Sequence, residues 1–369
     1  MSEHKYSIIM DYIKNEILDG MLKSGDKVDS ESQLMKKFNV SRHTAREALA
    51  RLCQEGYIYT EHGRGSFVKG NNDSVQEQKN IADTIILIVS YLNNQTVPEI
   101  IQKIEEKASE NGYNILLYCT YNKIFKEKEI LQRIMKENIV GVIAEPSKSA
   151  LPFVNESFYD QIRQKGIPVL FFHGYHNEKE EEYVIVDDLD AGYKAAKYLL
   201  EAGHVNIGGI FKSDDIQEQK RYQGMMKAFY EYNVEINEDQ IIWMSTEDEK
   251  IILKDPLLKS KFLSRILVCT AVICYNDFIA LGIADYLETN GKQIPDDCSI
   301  ISFDNTLFGD AYRVPITSVD HPKGKLGEMV AEKFFEKLKD PEKKIQIKMK
   351  VDIVEKESVR KIGSCMRAD

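Results

Sequence analysis

The sequence predicts an α/β protein in two unequal parts. A small N-terminal unit of helices ends in a β-hairpin, and a larger two-lobed body is built on parallel sheets. Three observations predict it. From Asp83 onward, short apolar runs alternate with amphipathic helical stretches in two successive series. Before them, Gly70–Ala82 ("GNNDSVQEQKNIA") is polar and has no apolar period, as a linker would. The charge is also split. Residues 1–70 carry 11 Lys+Arg against 10 Asp+Glu, and the other 299 residues carry a net −11. The expected boundaries are therefore 1–70, a linker at 71–82, and 83–369.

In the head, Tyr6, Ile9, Ile13 and Ile17 share one side of a helix over Tyr6–Leu18. Ser30 with Gln33 three residues on forms a capping box for a second helix ending at Phe38. Asn39-Val40 makes a tight turn, and Ser41 caps a third helix whose inner face is Ala45, Ala48, Leu49 and Leu52. Its outer face carries Arg42, His43, Thr44 and Arg46, with Lys36, Lys37 and Arg51 nearby. An N-terminal helix end with such residues suits the major groove, where arginine can fork onto guanine. Ile58–Glu61, the turn Gly63-Arg64-Gly65 and Ser66–Val68 read as a hairpin with Arg64 at its tip. The unit is thus a winged helix-turn-helix.

The stretch "SGDKVDSESQLMKKFNVSRHTAREALARLCQEGYIYTEHGRGSFV" resembles the DNA-binding domain of the GntR family, over about 60 residues that include "VSRHTAREALARL" and "GRGSFV". Asp29 stands where proline is usual, and Ser32 where many members carry a DNA-contacting arginine. The resemblance implies DNA contacts from Ser30, Glu31, Ser41, Arg42, His43, Thr44 and Arg46, and from His62, Gly63 and Arg64 on the wing.

In the body, Ile85–Val89, Ile115–Tyr118, Val140–Ala144 and Val169–Phe172 read as buried strands. Between the first two, Val97, Ile100, Ile101, Ile104 and Ala108 repeat at helical spacing, and Gly112 stops the helix. A second series follows, with strands at Ile207–Phe211, Ile241–Met244, Val272–Cys274 and Ile300–Phe303 and helices such as Asp190–Ala202 and Asp277–Asn290. Polar residues gather at strand ends: Glu145, Asp187-Asp188, Lys212 with Asp214-Asp215, Tyr275-Asn276-Asp277 and Asp304-Asn305. Ligands bind at the carboxyl edge of parallel sheets, so this set favours a polar small molecule. Taken singly, each reads as a cap or loop residue, Asp277 as the cap of the helix after it.

No apolar run reaches the roughly 18–20 residues of a membrane helix. The N-terminus mixes acids into its apolar positions, unlike a secretory signal. Six scattered cysteines without a CxxC or Cys/His cluster suggest reduced cytoplasmic thiols and no metal site. Neighbouring Asp187 and Asp188 would point to opposite sides of an extended segment, a poor acid/base pair. No GxSxG, HExxH, P-loop or GxGxxG motif opens a helix. Catalysis, metal and cofactor are therefore not expected.

The runs "ENGYNILL", "VDDLDAGYKAAKYLLEAGHVNIGGI", "ICYNDFIALGIADYLETNGKQIPDDCSIISFDN" and "TSVDHPKGKLGEMVAEKFFEKL" resemble the effector-binding domain of the LacI/GalR family over Thr84–Ile362. That implies a periplasmic-binding-protein-like body. The pairing with a GntR head, with "EPSKSAL", "GIFKSDD", "CYNDFIAL" and "HPK", resembles a family of sugar-operon repressors. It implies a cytoplasmic homodimer with no membrane partner, bound to palindromic operator DNA and released by a sugar, L-arabinose favoured. Arg221 would be the cleft arginine on sugar hydroxyls. Asn276 and Asp304 would contact the effector from the second lobe, and His321 from the crossover. Tyr91 would stack on a sugar ring, with Glu145 and His173 serving hydroxyls from the first lobe. The alternatives are another sugar or a nucleoside as effector, or a sugar-modifying enzyme with an accessory DNA-binding unit. A phosphorylated sugar would want more cations than Arg221, Lys212 and Lys220 supply.

Overall fold

A computed structural model describes residues 3–18, 21–23, 25–54, 57–61, 64–68, 83–92, 96–252 and 254–363. His62, Gly63 and the linker at 71–82 lie outside the described residues. The chain divides into two compact units, Met1–Asn80 and Ile81–Asp369. No described helix is long and apolar enough to cross a membrane.

In the first unit α1 (Glu3–Leu18), α2 (Glu31–Phe38) and α3 (Arg42–Gln54) precede the antiparallel pair β1 (Ile58–Glu61) and β2 (Gly65–Val68). The capping box at Ser30 and Gln33 forms in both directions. Asn39 takes the left-handed conformation that ends α2, at φ 49°, a position asparagine tolerates better than most residues. Ser41 Oγ accepts from the Thr44 N–H at 3.2 Å. Ile9, Ile13, Leu34, Ala45, Ala48, Leu52, Ile58 and Val68 make the core. The small side chains of Ala45 and Ala48 are fully buried there. Beyond the sequence reading, residues 25–28 run beside β2: Val28 N–H donates to Ser66 O and Val68 N–H to Asp26 O, each at 2.9 Å.

The second unit holds two six-stranded sheets. The first lobe contains β3 (Thr84–Val89), α4 (Val97–Glu110), β4 (Asn114–Cys119), α5 (Ile124–Ile134), β5 (Gly141–Ala144), α6 (Glu156–Gln164), β6 (Val169–Phe172) and β7 (Tyr183–Val186). The chain then passes through α7 (Asp188–Glu201) into the second lobe: β8 (Ile207–Lys212), α8 (Ile216–Glu231), β9 (Ile241–Met244), α9 (Thr246–Ile252), α10 (Pro256–Leu263), β10 (Ala271–Cys274), α11 (Asp277–Thr289), β11 (Ser299–Asp304), α12 (Leu307–Ala311) and β12 (Thr317–Asp320). It returns through α13 (Lys323–Lys339) to β13 (Gln346–Met349) in the first sheet, then crosses again to β14 (Ile353–Val354) in the second.

The first sheet has order β13-β7-β6-β5-β3-β4 and is parallel throughout. The second has order β14-β12-β11-β10-β8-β9 and is parallel except where β14 pairs antiparallel with β12. Both repeat one doubly wound order, so both aim their carboxyl edges and switch points at the space between the lobes. Each sheet carries a core on either face.

Helices α7 and α8 pack backbone to backbone through two glycines. A Cβ on Gly192 would sit 2.0 Å from Arg221 O, and one on Gly224 2.1 Å from Leu189 O. Alanine normally favours a helix by about 1 kcal/mol over glycine. Here overpacking, typically about 1–3 kcal/mol, outweighs it. Gly192→Ala is therefore expected to lower stability in a urea titration. An unchanged or higher midpoint would show that the helices separate freely.

Candidate functional site

On the head, Arg42 and Arg46 lie one helical turn apart near the start of α3, with side chains 72% and 66% exposed. Both Nε atoms donate to Glu31, Arg46 to Oε1 and Arg42 to Oε2, each at 2.9 Å. These hydrogen bonds, that from Arg46 first, hold the Glu31 carboxyl below its usual range. His43 is exposed beside them, and Ser41 and Thr44 share a hydroxyl hydrogen bond of 2.9 Å. Ser30 is occupied in its capping box. Arg64 stands immediately before β2, paired with Glu61 at 2.5 Å. Among the described DNA-contact candidates, Arg42, His43 and Arg46 are exposed together at the start of α3.

In the second unit a cleft of about 400 Å³ opens between the carboxyl edges of the two sheets. All seven effector candidates line it: Tyr91, Glu145, His173, Arg221, Asn276, Asp304 and His321. Each follows from the topology. Tyr91, Glu145 and His173 come just after β3, β5 and β6, while Asn276, Asp304 and His321 stand at the ends of β10, β11 and β12. Arg221 projects from the second turn of α8.

Arg221 is buried, with 5% exposure. Its Nε donates to Asp188 Oδ1 at 2.8 Å, and its Nη1 to Glu218 Oε1 at 2.6 Å and to Tyr275 O at 2.9 Å. The guanidinium lies 4.1 Å from the Phe303 ring centre. One cation is thus shared among carboxylates it cannot fully neutralise. Burial pushes Glu218 up to about 8 and Asp304 up to about 6, each against the pull of Arg221. In the first lobe, Glu145 accepts from Ser90 N–H at 2.6 Å and contacts His173 Nδ1 at 3.3 Å. Burial opposes the Glu145 charge, but the His173 ring and the Ser90 N–H outweigh it and lower its pKa. The His173 ring meets His321 edge-on at 5.1 Å, and burial holds His321 well below the usual histidine value. His173 Nε2 and His321 Nδ1 have no protein partner among the described residues.

Two sequence readings are corrected here. Asp187 and Asp188 do not share an extended segment. Asp187 caps α7 by accepting from Asp190 N–H, and Asp188 is its first helical residue, turned onto Arg221. The cap of α11 is Asn276, whose Oδ1 accepts from Ile279 N–H at 2.8 Å. Asp277 is buried beneath the cleft instead. It accepts from Ser302 Oγ, from Ser318 Oγ at 3.0 Å, and from Thr306 N–H and Oγ1 at 2.6 and 2.8 Å. It so ties the start of α11 to β11, to β12 and to the start of α12.

Residues without an assigned role in the sequence also line the cleft, among them Glu218, Lys212, Asp215 and Glu249. The readable signal for Glu218 was its i,i+3 spacing to Arg221. At the cleft mouth the lobes are joined directly. Lys148 Nζ bridges Asp214 at 2.9 Å and Glu247 at 2.6 Å, Ser149 donates to Asp215 at 3.1 Å, and Asn122 donates to Thr246 at 2.8 Å.

The raised Glu218 pKa gives a signed prediction. Its folded value near 8 exceeds its ordinary value near 4.5. Stability from its bound proton is fully present below the ordinary value and is lost as pH rises to about 8. The melting temperature of the wild type, measured relative to Glu218→Gln, should fall steadily from pH 5 to 8. A flat difference across that range would mean that Glu218 is already ionised in the fold.

A head with an exposed arginine face and a body with a polar cleft between two doubly wound lobes define a DNA-binding transcription regulator that senses a small molecule. Residues 5–68 match the family model of bacterial regulatory proteins of the gntR family, and residues 196–359 that of the periplasmic binding protein-like domain. The chain is 34% identical to an arabinose metabolism transcriptional repressor of Halalkalibacterium halodurans, over 88% of this chain and 87% of that protein. It is 32% identical to one of Geobacillus stearothermophilus, over 97% and 93%. It belongs to this family of arabinose metabolism transcriptional repressors. In fold it is similar to the transcription regulator CcpA of Lactococcus lactis, with a TM-score of 0.64 and 22% identity over 75% of this chain and 99% of that one.

Proposed function

We propose that the chain is a cytoplasmic, homodimeric repressor whose paired heads hold a near-palindromic operator, and that L-arabinose in the cleft releases it. Two-fold protein symmetry calls for two-fold half-sites. In this reading Arg221, Asn276, Asp304 and His321 bind the sugar from one side, and Tyr91, Glu145 and His173 from the other. On DNA the contacts come from Ser30, Glu31, Ser41, Arg42, His43, Thr44, Arg46, His62, Gly63 and Arg64. The protein carries out no chemistry on the sugar.

The observation that carries the effector reading is the charge of the cleft. Glu145, Asp215, Glu249, Asp277 and Asp304 outnumber Arg221, Lys212 and Lys250 among its lining residues, even with Glu218 protonated. A phosphate or carboxylate would meet repulsion there. A neutral polyol offers hydroxyls to both donors and acceptors, and Tyr91 offers an apolar face. The family relationship supports L-arabinose among such polyols.

Release needs a sugar that binds the closed lobes more tightly than the operator-competent form. The test is calorimetric titration of the whole chain with L-arabinose, with D-xylose, D-galactose and D-ribose as controls, followed by operator binding with and without each sugar. L-arabinose alone should bind saturably and weaken operator binding. Operator affinity indifferent to every sugar, or conversion of the bound sugar to another compound, would overturn the proposal.

A further inference from the structure

We infer that Lys212 is a specificity-determining donor of the cleft, hydrogen-bonding one hydroxyl of the bound sugar. The inference rests on the sugar-sensing reading above and adds a residue to it. Lys212 is the last residue of β8, so its side chain leaves the sheet at the carboxyl edge and enters the cleft. The residue is only 9% exposed. Its ammonium lies between two aromatic rings, 6.0 Å from the centre of Tyr91 and 5.9 Å from that of Tyr275.

None of its acidic neighbours takes it as a hydrogen-bond donor. Glu249 is nearest at 3.9 Å, an ion pair beyond hydrogen-bond reach. Asp214 accepts instead from Lys148 and from Thr246 N–H, and Asp215 from Ser149. Burial disfavours the Lys212 charge, but Asp215, Glu249 and Asp214 together outweigh it and keep the group protonated. Three N–H donors are therefore held charged with no hydrogen-bonding partner among the described residues. Such a group is costly unless something else accepts. An ammonium donates and never accepts, so it selects an oxygen with a free lone pair. The surrounding carboxylates reject an anion at the same place. A hydroxyl of a neutral sugar meets both conditions, whereas an analogue lacking that hydroxyl leaves the ammonium unpaired.

The experiment titrates the whole chain and its Lys212→Met and Lys212→Gln variants with L-arabinose and with each of its monodeoxy analogues. The wild type is expected to bind one deoxy analogue roughly 10- to 100-fold more weakly than L-arabinose. Lys212→Met should bind L-arabinose about as weakly as that analogue and should no longer distinguish the two. Lys212→Gln keeps an uncharged N–H donor, should lose less, and carries the test if thermal melting shows the methionine variant unfolded. A variant that binds L-arabinose like the wild type, or keeps full discrimination at every position, overturns the role of Lys212 while leaving the sensor reading intact. A wild type that binds none of these sugars removes the sensor reading, and the assignment falls with it.

Discussion

Replacing Arg221 by methionine is expected to reduce L-arabinose binding by more than roughly 100-fold and to destabilise the body by about 3–5 kcal/mol, the usual effect of stranding a buried charge partner. The size follows from what the guanidinium joins: Asp188 after the first crossover, Glu218 on its own helix, and the Tyr275 carbonyl after β10. Removing it leaves two nearly fully buried carboxylates without their cation. The loss should depend on pH. Burial already raises both acids, Glu218 to about 8, so without arginine they escape the penalty by taking up protons. The destabilisation measured by urea titration should therefore be smaller at pH 5.5 than at pH 8. An equal loss at both would show that packing on Phe303, rather than charge, is what Arg221 contributes.

The head was legible because its signals are local. The capping box and the alanine pair that lets α3 pack closely each span four residues. Most body strands were legible for a related reason. A parallel strand buried on both faces is a continuous apolar run, and β6 and β9 fall where the runs place them. The strands β13 and β14 were not read, and the physics explains it. β13 alternates exposed and half-buried residues at the edge of its sheet, and its partner β7 lies more than 150 residues earlier. β14 is two residues long. Glu145, Asn276 and Asp304 were legible from the strand-end rule, whereas Tyr91, His173, Arg221 and His321 were assigned through the family resemblance. The sharing of Arg221 between Asp188 and Glu218 was not legible, because the first of these pairs forms only when α7 and α8 meet through Gly192 and Gly224. Asp277 was misplaced because a carboxylate at a helix start reads as a cap, and only the hydroxyls of Ser302, Ser318 and Thr306 draw it inward.

Arg46→Ala is expected to weaken operator binding by roughly 10- to 100-fold, the effect of losing a forked base contact. The free head shows a competitor for that contact, since Glu31 accepts from Arg46 and Arg42 together. Which interaction wins is a question of magnitude. An exposed ion pair adds little to stability and is screened by salt, whereas a bidentate arginine on guanine is worth about 1–3 kcal/mol. The arginines should therefore leave Glu31 for DNA at small cost. Until they do, Glu31 holds the two side chains side by side at the start of α3, limiting the rotamers they lose on docking. Two measurements separate the roles. If Arg46 reads a base, the alanine variant should lose affinity for the operator and little for unrelated DNA. If it touches only phosphate, both should fall alike and the salt dependence should lessen by about one counterion. Glu31→Gln removes the charge that competes with phosphate, so non-specific binding should tighten at low salt. An Arg46→Ala variant with unaltered operator affinity would move DNA recognition off this face of α3.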